Sequence, residues 1–323
     1  MTSAELVHRT SLSSGHRIHR VDCGQGPLVV LVHGFPESWY SWRHQLSALA
    51  DAGYQAAAID VRGYGRSAAP GPIEAYAMTS LVGDVIGVID DVGVETAVVV
   101  GHDWGAPIAW NTALLRPDRV RAVAGLSVPY NPRGDTPPLD ALRALAGEDL
   151  FYIDYFQEPG VAEAEVEADL EGWLRGFYFT ASGESDPTKP SMGFVPRGHE
   201  LRERLQQPGP GQMAWLSDED LAFYVGEFER TGLTGGFNRY RNITRDWTEL
   251  APWRQAPIRV PALFIGGDRD GPTQLGQRAI GRFGETLPNL IGSHILDNCG
   301  HWVQQEQPAA TNELLIGFLN SLG

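Results

Sequence analysis

The segment Val98-Val99-Val100-Gly101-His102-Asp103-Trp104-Gly105 constrains this chain more than any other. A continuous apolar run ends in a G-x-D-x-G turn. Residues 106–115 then carry apolar side chains at helical spacing, up to Arg116-Pro117. A strand without polar alternation is covered on both faces, and the residue before a proline leaves helical geometry. The segment therefore reads as a central strand, a sharp turn and a helix. A turn of this form holds its middle side chain exposed at the carboxyl end of a sheet. Here the exposed group is the carboxylate of Asp103.

The rest of the first third follows the same pattern. Apolar runs at 28–32, 56–60 and 120–126 read as buried strands, a Gly- and Pro-rich loop spans 62–72, and 76–92 has helical periodicity. Strands alternating with helices define an α/β chain with a mostly parallel sheet covered on both faces. From about Pro129 the character changes. Pro132, Pro137 and Pro138 punctuate the chain, strong strand signals stop, and helical patterns follow at 139–146, 163–175 and 218–231. The last is preceded by Ser217 with Asp220 three residues on, a variant of the capping box. Aromatic residues concentrate around 151–156 and 215–228. Strand signals resume at 262–265 and 294–296, and 311–322 closes the chain as an amphipathic helix. The expected organisation is a core built from residues 1–132 and 246–323, split by an inserted helical cap at 133–245.

A chain of 323 residues suits such a core with an insertion. Its 40 acidic against 25 basic residues give a formal charge of -15, which repels phosphate backbones and anionic lipid alike and argues against a nucleic-acid partner. No apolar run approaches the roughly 18 residues of a membrane-spanning helix. The first twenty residues lack the apolar stretch of a secretory signal, so the expected location is cytoplasmic. Cys23 and Cys299 are too few to staple a chain of this size and read as buried thiols. Among nine His, including His16 and His19, none has the neighbours of a recognisable metal site. A homodimer would be ordinary at this size.

The chemistry centres on Asp103. An ionised carboxylate needs no base to act as a nucleophile, and its attack on an electrophilic sp³ carbon gives an ester of the enzyme. Hydrolysis of that ester calls for a general base. His301, in Asn298-Cys299-Gly300-His301-Trp302, follows the last strand signal and fits that role. Asp268 and Asp270 both follow the 262–265 strand, and either could orient the imidazole and stabilise its protonated form. The backbone N–H of Trp104 and one from the His33-Gly34-Phe35-Pro36 turn, taken at Phe35, would form an oxyanion hole. Asp60, a strand-end residue before a Gly-rich loop, reads as structural.

Together these residues resemble the soluble epoxide hydrolases of the α/β-hydrolase superfamily, of the bacterial type that is also similar to the carboxy-terminal domain of the mammalian enzyme. The likeness spans nearly the whole chain. It rests on residues 33–39 (HGFPESW), 101–105 (GHDWG) and 298–302 (NCGHW), and on the cap run 155–165 (YFQEPGVAEAE). It implies an α/β-hydrolase fold with a cap, conversion of epoxides to vicinal diols, and Asp270 rather than Asp268 as the partner of His301. It also implies two cap tyrosines, Tyr152 and Tyr240, as hydrogen-bond and proton donors to the epoxide oxygen, although Tyr155 and Tyr178 lie nearby. The partners so implied are an epoxide and water. No metal or organic cofactor is implied, because carboxylate, water and imidazole complete the reaction. A haloalkane dehalogenase with the same Asp nucleophile is the nearest alternative, and a non-catalytic ligand-binding relative is the other.

Overall fold

The computed structural model describes residues 5–323; of the first twenty residues, those weighed above as a possible secretory signal, 1–4 lie outside those described. The first half of the chain lays down β1 (Val7–Ser13), β2 (His16–Cys23), β3 (Leu28–Val32), α1 (Arg43–Asp51), β4 (Gln55–Ile59), α2 (Met78–Val92), β5 (Ala97–His102), α3 (Gly105–Leu115) and β6 (Val120–Leu126). The strand signals of the sequence are met here, and two elements go beyond them: the β1–β2 hairpin and α1.

The middle of the chain is helical. It holds α4 (Pro138–Ala146), a two-stranded antiparallel pair of β7 (Leu150–Phe151) and β8 (Phe194–Val195), α5 (Tyr152–Tyr155), α6 (Val161–Ala168), α7 (Leu170–Ala181), α8 (Asp218–Thr231), α9 (Thr234–Arg241) and α10 (Ile243–Glu249). The helix expected over 163–175 is broken. Asp169 interrupts it, and its carboxylate accepts the Gly172 N–H at 3.0 Å to start α7. Helix α8 has the expected bounds, with Ser217 Oγ accepting the Asp220 N–H at 3.1 Å and Asp220 accepting the Ser217 N–H at 3.0 Å. The chain closes with β9 (Ala262–Gly267), α11 (Gly271–Leu275), α12 (Gln277–Ile280), α13 (Phe283–Thr286), β10 (Leu290–Leu296), α14 (Val303–Glu306) and α15 (Pro308–Asn320).

Eight strands form one sheet in the order β1-β2-β4-β3-β5-β6-β9-β10. The pairs β1–β2 and β2–β4 are antiparallel, and every pair from β4 to β10 is parallel. Alternate side chains of the central strands enter two separate cores. Val30, Val32 and Val99 pack with Val85, Ile108 and Trp110 on one face; Val29, Leu31, Val98 and Val100 pack with Leu46, Leu49, Leu315 and Phe318 on the other. Two apolar faces explain why these strands read as unbroken apolar runs. Val32 pairs with Gly101, His102 with Leu126, Leu126 with Ile265, and Gly267 with Leu296. Hence the loops after β3, β5, β9 and β10 emerge side by side at the carboxyl ends of the parallel strands, where open α/β sheets bind ligands. No helix among the described residues is long and apolar enough to cross a membrane.

Candidate active site

Asp103 sits on a backbone with φ of 49°, in the left-handed region that a non-glycine residue adopts only when its surroundings hold it there. The flanking glycines make this turn possible. A Cβ on Gly101 would lie 1.9 Å from the Gly105 carbonyl oxygen, and a Cβ on Gly105 would lie 1.9 Å from that of Val32. The strand–helix junction is thus packed too tightly for any side chain but that of the middle residues, and Asp103 is directed out of the sheet.

Three loops converge on it. Asp103 Oδ1 accepts the Phe35 N–H at 2.7 Å, and Oδ2 lies 3.2 Å from His301 Nε2. The other ring nitrogen, Nδ1, is 2.8 Å from Asp270 Oδ1. Asp270 is fully buried, and its second oxygen accepts the Thr273 N–H at 3.1 Å while contacting the Thr273 hydroxyl at 2.6 Å. Asp268 turns elsewhere: it is exposed, and its carboxylate accepts the Cys299 N–H at 3.1 Å. Trp104 opens the first turn of α3, where backbone N–H groups have no intrahelical acceptor.

The electrostatics follow from this geometry. Burial alone would raise the Asp103 carboxyl, but the His301 ring and the Phe35 N–H hold it below its ordinary value. Burial alone would lower the His301 imidazole, but the charges of Asp270 and Asp103 lift it well above its ordinary value. The resting site is therefore an imidazolium between two carboxylates.

Above them stand the cap tyrosines. Tyr240 is buried, with its ring edge-on to Trp104 at 5.1 Å and to Phe35 at 5.3 Å. Tyr152 packs edge-on to Tyr240 at 6.0 Å. Burial and the charge of Asp103 push both phenols up, to a level where they stay protonated as donors. Neither hydroxyl donates to a carboxylate or carbonyl among the described residues. The neighbouring phenols are already committed: Tyr155 donates to Glu165 and Tyr178 to the Pro36 carbonyl.

A cavity of about 930 Å³ opens beside this constellation. Trp104, Ile153 and Arg239, each next in sequence to Asp103, Tyr152 and Tyr240, form part of its wall with Trp110, Val128 and Leu250, whereas Asp103 itself is not among its lining residues. The guanidinium of Arg239 lies over the Trp104 ring at 4.8 Å.

The sequence reading did not find the scaffold beneath the imidazole. His102 Nε2 donates to the His301 carbonyl at 2.7 Å, and Ser127 Oγ donates to the same oxygen at 2.7 Å. His102 Nδ1 is 2.7 Å from Glu37, whose carboxylate also accepts the Gly34 N–H and the Gln304 and Gln305 amides. Burial alone would raise the Glu37 carboxyl, but His102, His33 and the Gly34 N–H hold it down. Glu306 accepts the N–H groups of Gly183, Gly300 and Trp302, fixing both sides of His301. His33 bonds only loops: Nδ1 donates to the Gly34 carbonyl at 2.8 Å and Nε2 accepts the Val61 N–H at 3.0 Å. Asp60 is fully buried and accepts the N–H groups of Trp39 and Arg66, the structural part read for it.

Residues 27–308 match the family model described as the alpha/beta hydrolase fold. Epoxide hydrolase B of Mycobacterium tuberculosis is 45% identical, over 98% of this chain and 99% of its own length. Epoxide hydrolase A of the same organism is 46% identical, over 96% of each. A solved structure, an epoxide hydrolase from an endophytic Streptomyces, superposes with a TM-score of 0.96 at 54% identity, covering 100% of this chain and 97% of that one. The chain belongs to the α/β-hydrolase fold family and, within it, to the epoxide hydrolases.

Proposed function

We propose that this protein converts epoxides to vicinal diols through an ester formed on Asp103. The carboxylate of Asp103 attacks a ring carbon, the carbon–oxygen bond breaks, and the departing alkoxide takes a proton from Tyr152 or Tyr240. With the ester formed, the His301 imidazolium passes its proton, through solvent, to the tyrosinate; the neutral imidazole then accepts a proton from water, and the resulting hydroxide adds to the ester carbonyl. The N–H groups of Phe35 and Trp104 stabilise the oxyanion. Collapse releases the diol and restores the carboxylate, with His301 again holding the proton taken from water.

The observation that carries this reading is the 3.2 Å approach of His301 Nε2 to Asp103, with Asp270 behind the ring at 2.8 Å. It explains an otherwise awkward fact, namely that a raised imidazole is a poor base. Esterification removes the charge of Asp103, and with it one of the two carboxylates that hold the proton on His301. The first half-reaction thus prepares the base for the second.

Residues 133–245 serve as the cap, and the cavity beyond Trp104 receives the substituent carried by the epoxide ring. Its apolar lining favours a hydrophobic substituent. Two donor phenols suit a leaving alkoxide, which needs a proton; a halide does not. The test is a paired assay of the purified protein. Diol formation from an aryl or alkyl epoxide, without halide release from the matching haloalkane, is expected. Halide release without diol formation would favour the dehalogenase, and neither activity would leave a binding protein.

A further inference from the structure

On the β1–β2 edge of the sheet, a depression of about 330 Å³ is lined by His8, Arg9, Thr10, Arg17, His19 and Arg66. It holds three guanidinium groups, two imidazoles, one hydroxyl and no carboxylate. In a chain with 40 acidic against 25 basic residues, this is a local reversal of sign. Arg9 is partly neutralised by Asp22 at 3.1 Å, but neither Arg17 nor Arg66 is in an ion pair with a carboxylate among the described residues. Arg17 is nonetheless fixed, its Nε donating to the Arg66 carbonyl at 3.1 Å.

The floor of the depression is rigid and polar. His19 is 4% exposed, and its Nδ1 lies 2.7 Å from the buried carboxylate of Asp60. Asp60 is anchored in turn by the N–H groups of Trp39 and Arg66. The outer nitrogen of His19, Nε2, meets His8 Nδ1 at 2.9 Å, with the two rings within 20° of parallel and their centroids 5.1 Å apart. That spacing describes an end-to-end hydrogen bond, in which one ring donates and the other accepts. The series Asp60–His19–His8 therefore links a buried carboxylate to the floor of a cationic depression through two hydrogen bonds. None of these side chains belongs to the constellation around Asp103.

We propose that His8, Arg17 and Arg66 bind a tetrahedral dianion, either inorganic phosphate or the phosphoryl group of a small monoester, and that binding draws one proton from solvent into the His8–His19 pair. Arginine forks match phosphoryl oxygens with charge-assisted hydrogen bonds. The groups facing His8 are His19, Asp60, Arg66, Arg9 and Arg17; burial, with the neighbouring His19 and Arg66, keeps the His8 imidazole below its ordinary value, while Asp60 works the other way. A bound dianion reverses that field, so affinity for the dianionic form strengthens as pH falls through the imidazole range, until the ligand's own second ionisation, at about 6 for a monoester, removes that form.

The test is calorimetric titration of the full chain with sodium phosphate and, separately, with glycerol 3-phosphate. Ionic strength is matched with chloride, and two buffers of different ionisation enthalpy are used near neutral pH. Saturable binding is expected, with more protons taken up than by His8→Gln under the same conditions, a difference from which the ligand's own ionisation cancels. Arg17→Gln/Arg66→Gln should weaken it by about tenfold or more. His8→Gln should retain binding but lose that additional uptake. Tighter binding of glycerol 3-phosphate would identify a monoester as the ligand, and binding of phosphate alone the free ion. Heats no larger than those of the chloride control, or unaffected by the double substitution, would overturn the site. Should the double variant fail to fold, the ring resonances of His8 in the unaltered chain decide the matter: a saturable shift with phosphate supports the site and no shift refutes it.

Discussion

Nε2 of His301 lies 3.2 Å from Oδ2 of Asp103, although the two residues stand on loops from strands at different positions in the sheet. The contact makes each group what it is. Asp103 remains a carboxylate because the imidazolium faces it, and His301 holds its proton because Asp103 and Asp270 flank it. Chemistry that consumes the charge of one partner must change the basicity of the other.

The two half-reactions should accordingly respond differently to pH. Asp103 is held below the ordinary carboxylate range, so ester formation should persist into acid and fail only as pH falls through that lowered value. Ester hydrolysis needs neutral His301, so it should rise with pH to a plateau. Its midpoint should lie below that of His301 in the free protein, because the ester no longer carries the Asp103 charge. Rapid-quench measurements of both steps across pH test this. A single shared midpoint would contradict it.

Asp270 and Asp268 are two residues apart and differ in every contact. Asp270→Asn should slow ester hydrolysis by about 10³–10⁴-fold, the scale of losing an imidazole's orienting carboxylate. Asp268→Asn removes an exposed acceptor of the Cys299 N–H and should change turnover little, with stability lowered by no more than about 1 kcal/mol. Single-turnover rates and thermal melts of the pair distinguish them.

In the proposed mechanism the phenols act on the leaving oxygen, not on the ester. Tyr152→Phe or Tyr240→Phe should each slow ester formation by about 10²-fold, the scale of one lost oxyanion donor, and leave hydrolysis of a preformed ester near its original rate. Tyr155→Phe, whose hydroxyl serves Glu165, should alter folding stability more than either step. Pre-steady-state amplitudes separate these outcomes.

The turn carrying Asp103 has no room at Gly105. In Gly105→Ala the new methyl would meet the Val32 carbonyl at 1.9 Å, and the clash should cost about 1–3 kcal/mol or more. For a chain of 323 residues each kcal/mol lowers Tm by about 1.5 °C. Calorimetry should find a clear drop in Tm, and activity should fall with it because the strained side chain shifts.

Much of this could be read from residues alone. Strands β3 and β6 and helix α8 have the expected bounds, since two-sided burial and a Ser217–Asp220 capping box are local signals. The hairpin of β1 and β2 was not legible. Its polar side chains are buried with the help of partners far along the chain, as Arg20 is by Asp91, 71 residues on. The break at Asp169 hides inside a helical period because Asp also occurs on exposed helix faces. Asp103 and His301 stand out by motif and order, whereas order alone leaves Asp268 and Asp270 level and the family resemblance favours Asp270. Glu37, His102, Ser127 and Glu306 do not, because their work is defined by contacts such as His102 to the His301 carbonyl, 199 residues apart, which no local pattern encodes.

The most direct measurement is one turnover of excess protein on an epoxide in heavy-oxygen water, followed by mass analysis of the diol and of the peptide containing Asp103. Attack by the carboxylate predicts an unlabelled first diol and one heavy oxygen retained on Asp103. Label in the first diol, with Asp103 unlabelled, would mean that water opens the ring directly and would contradict the account.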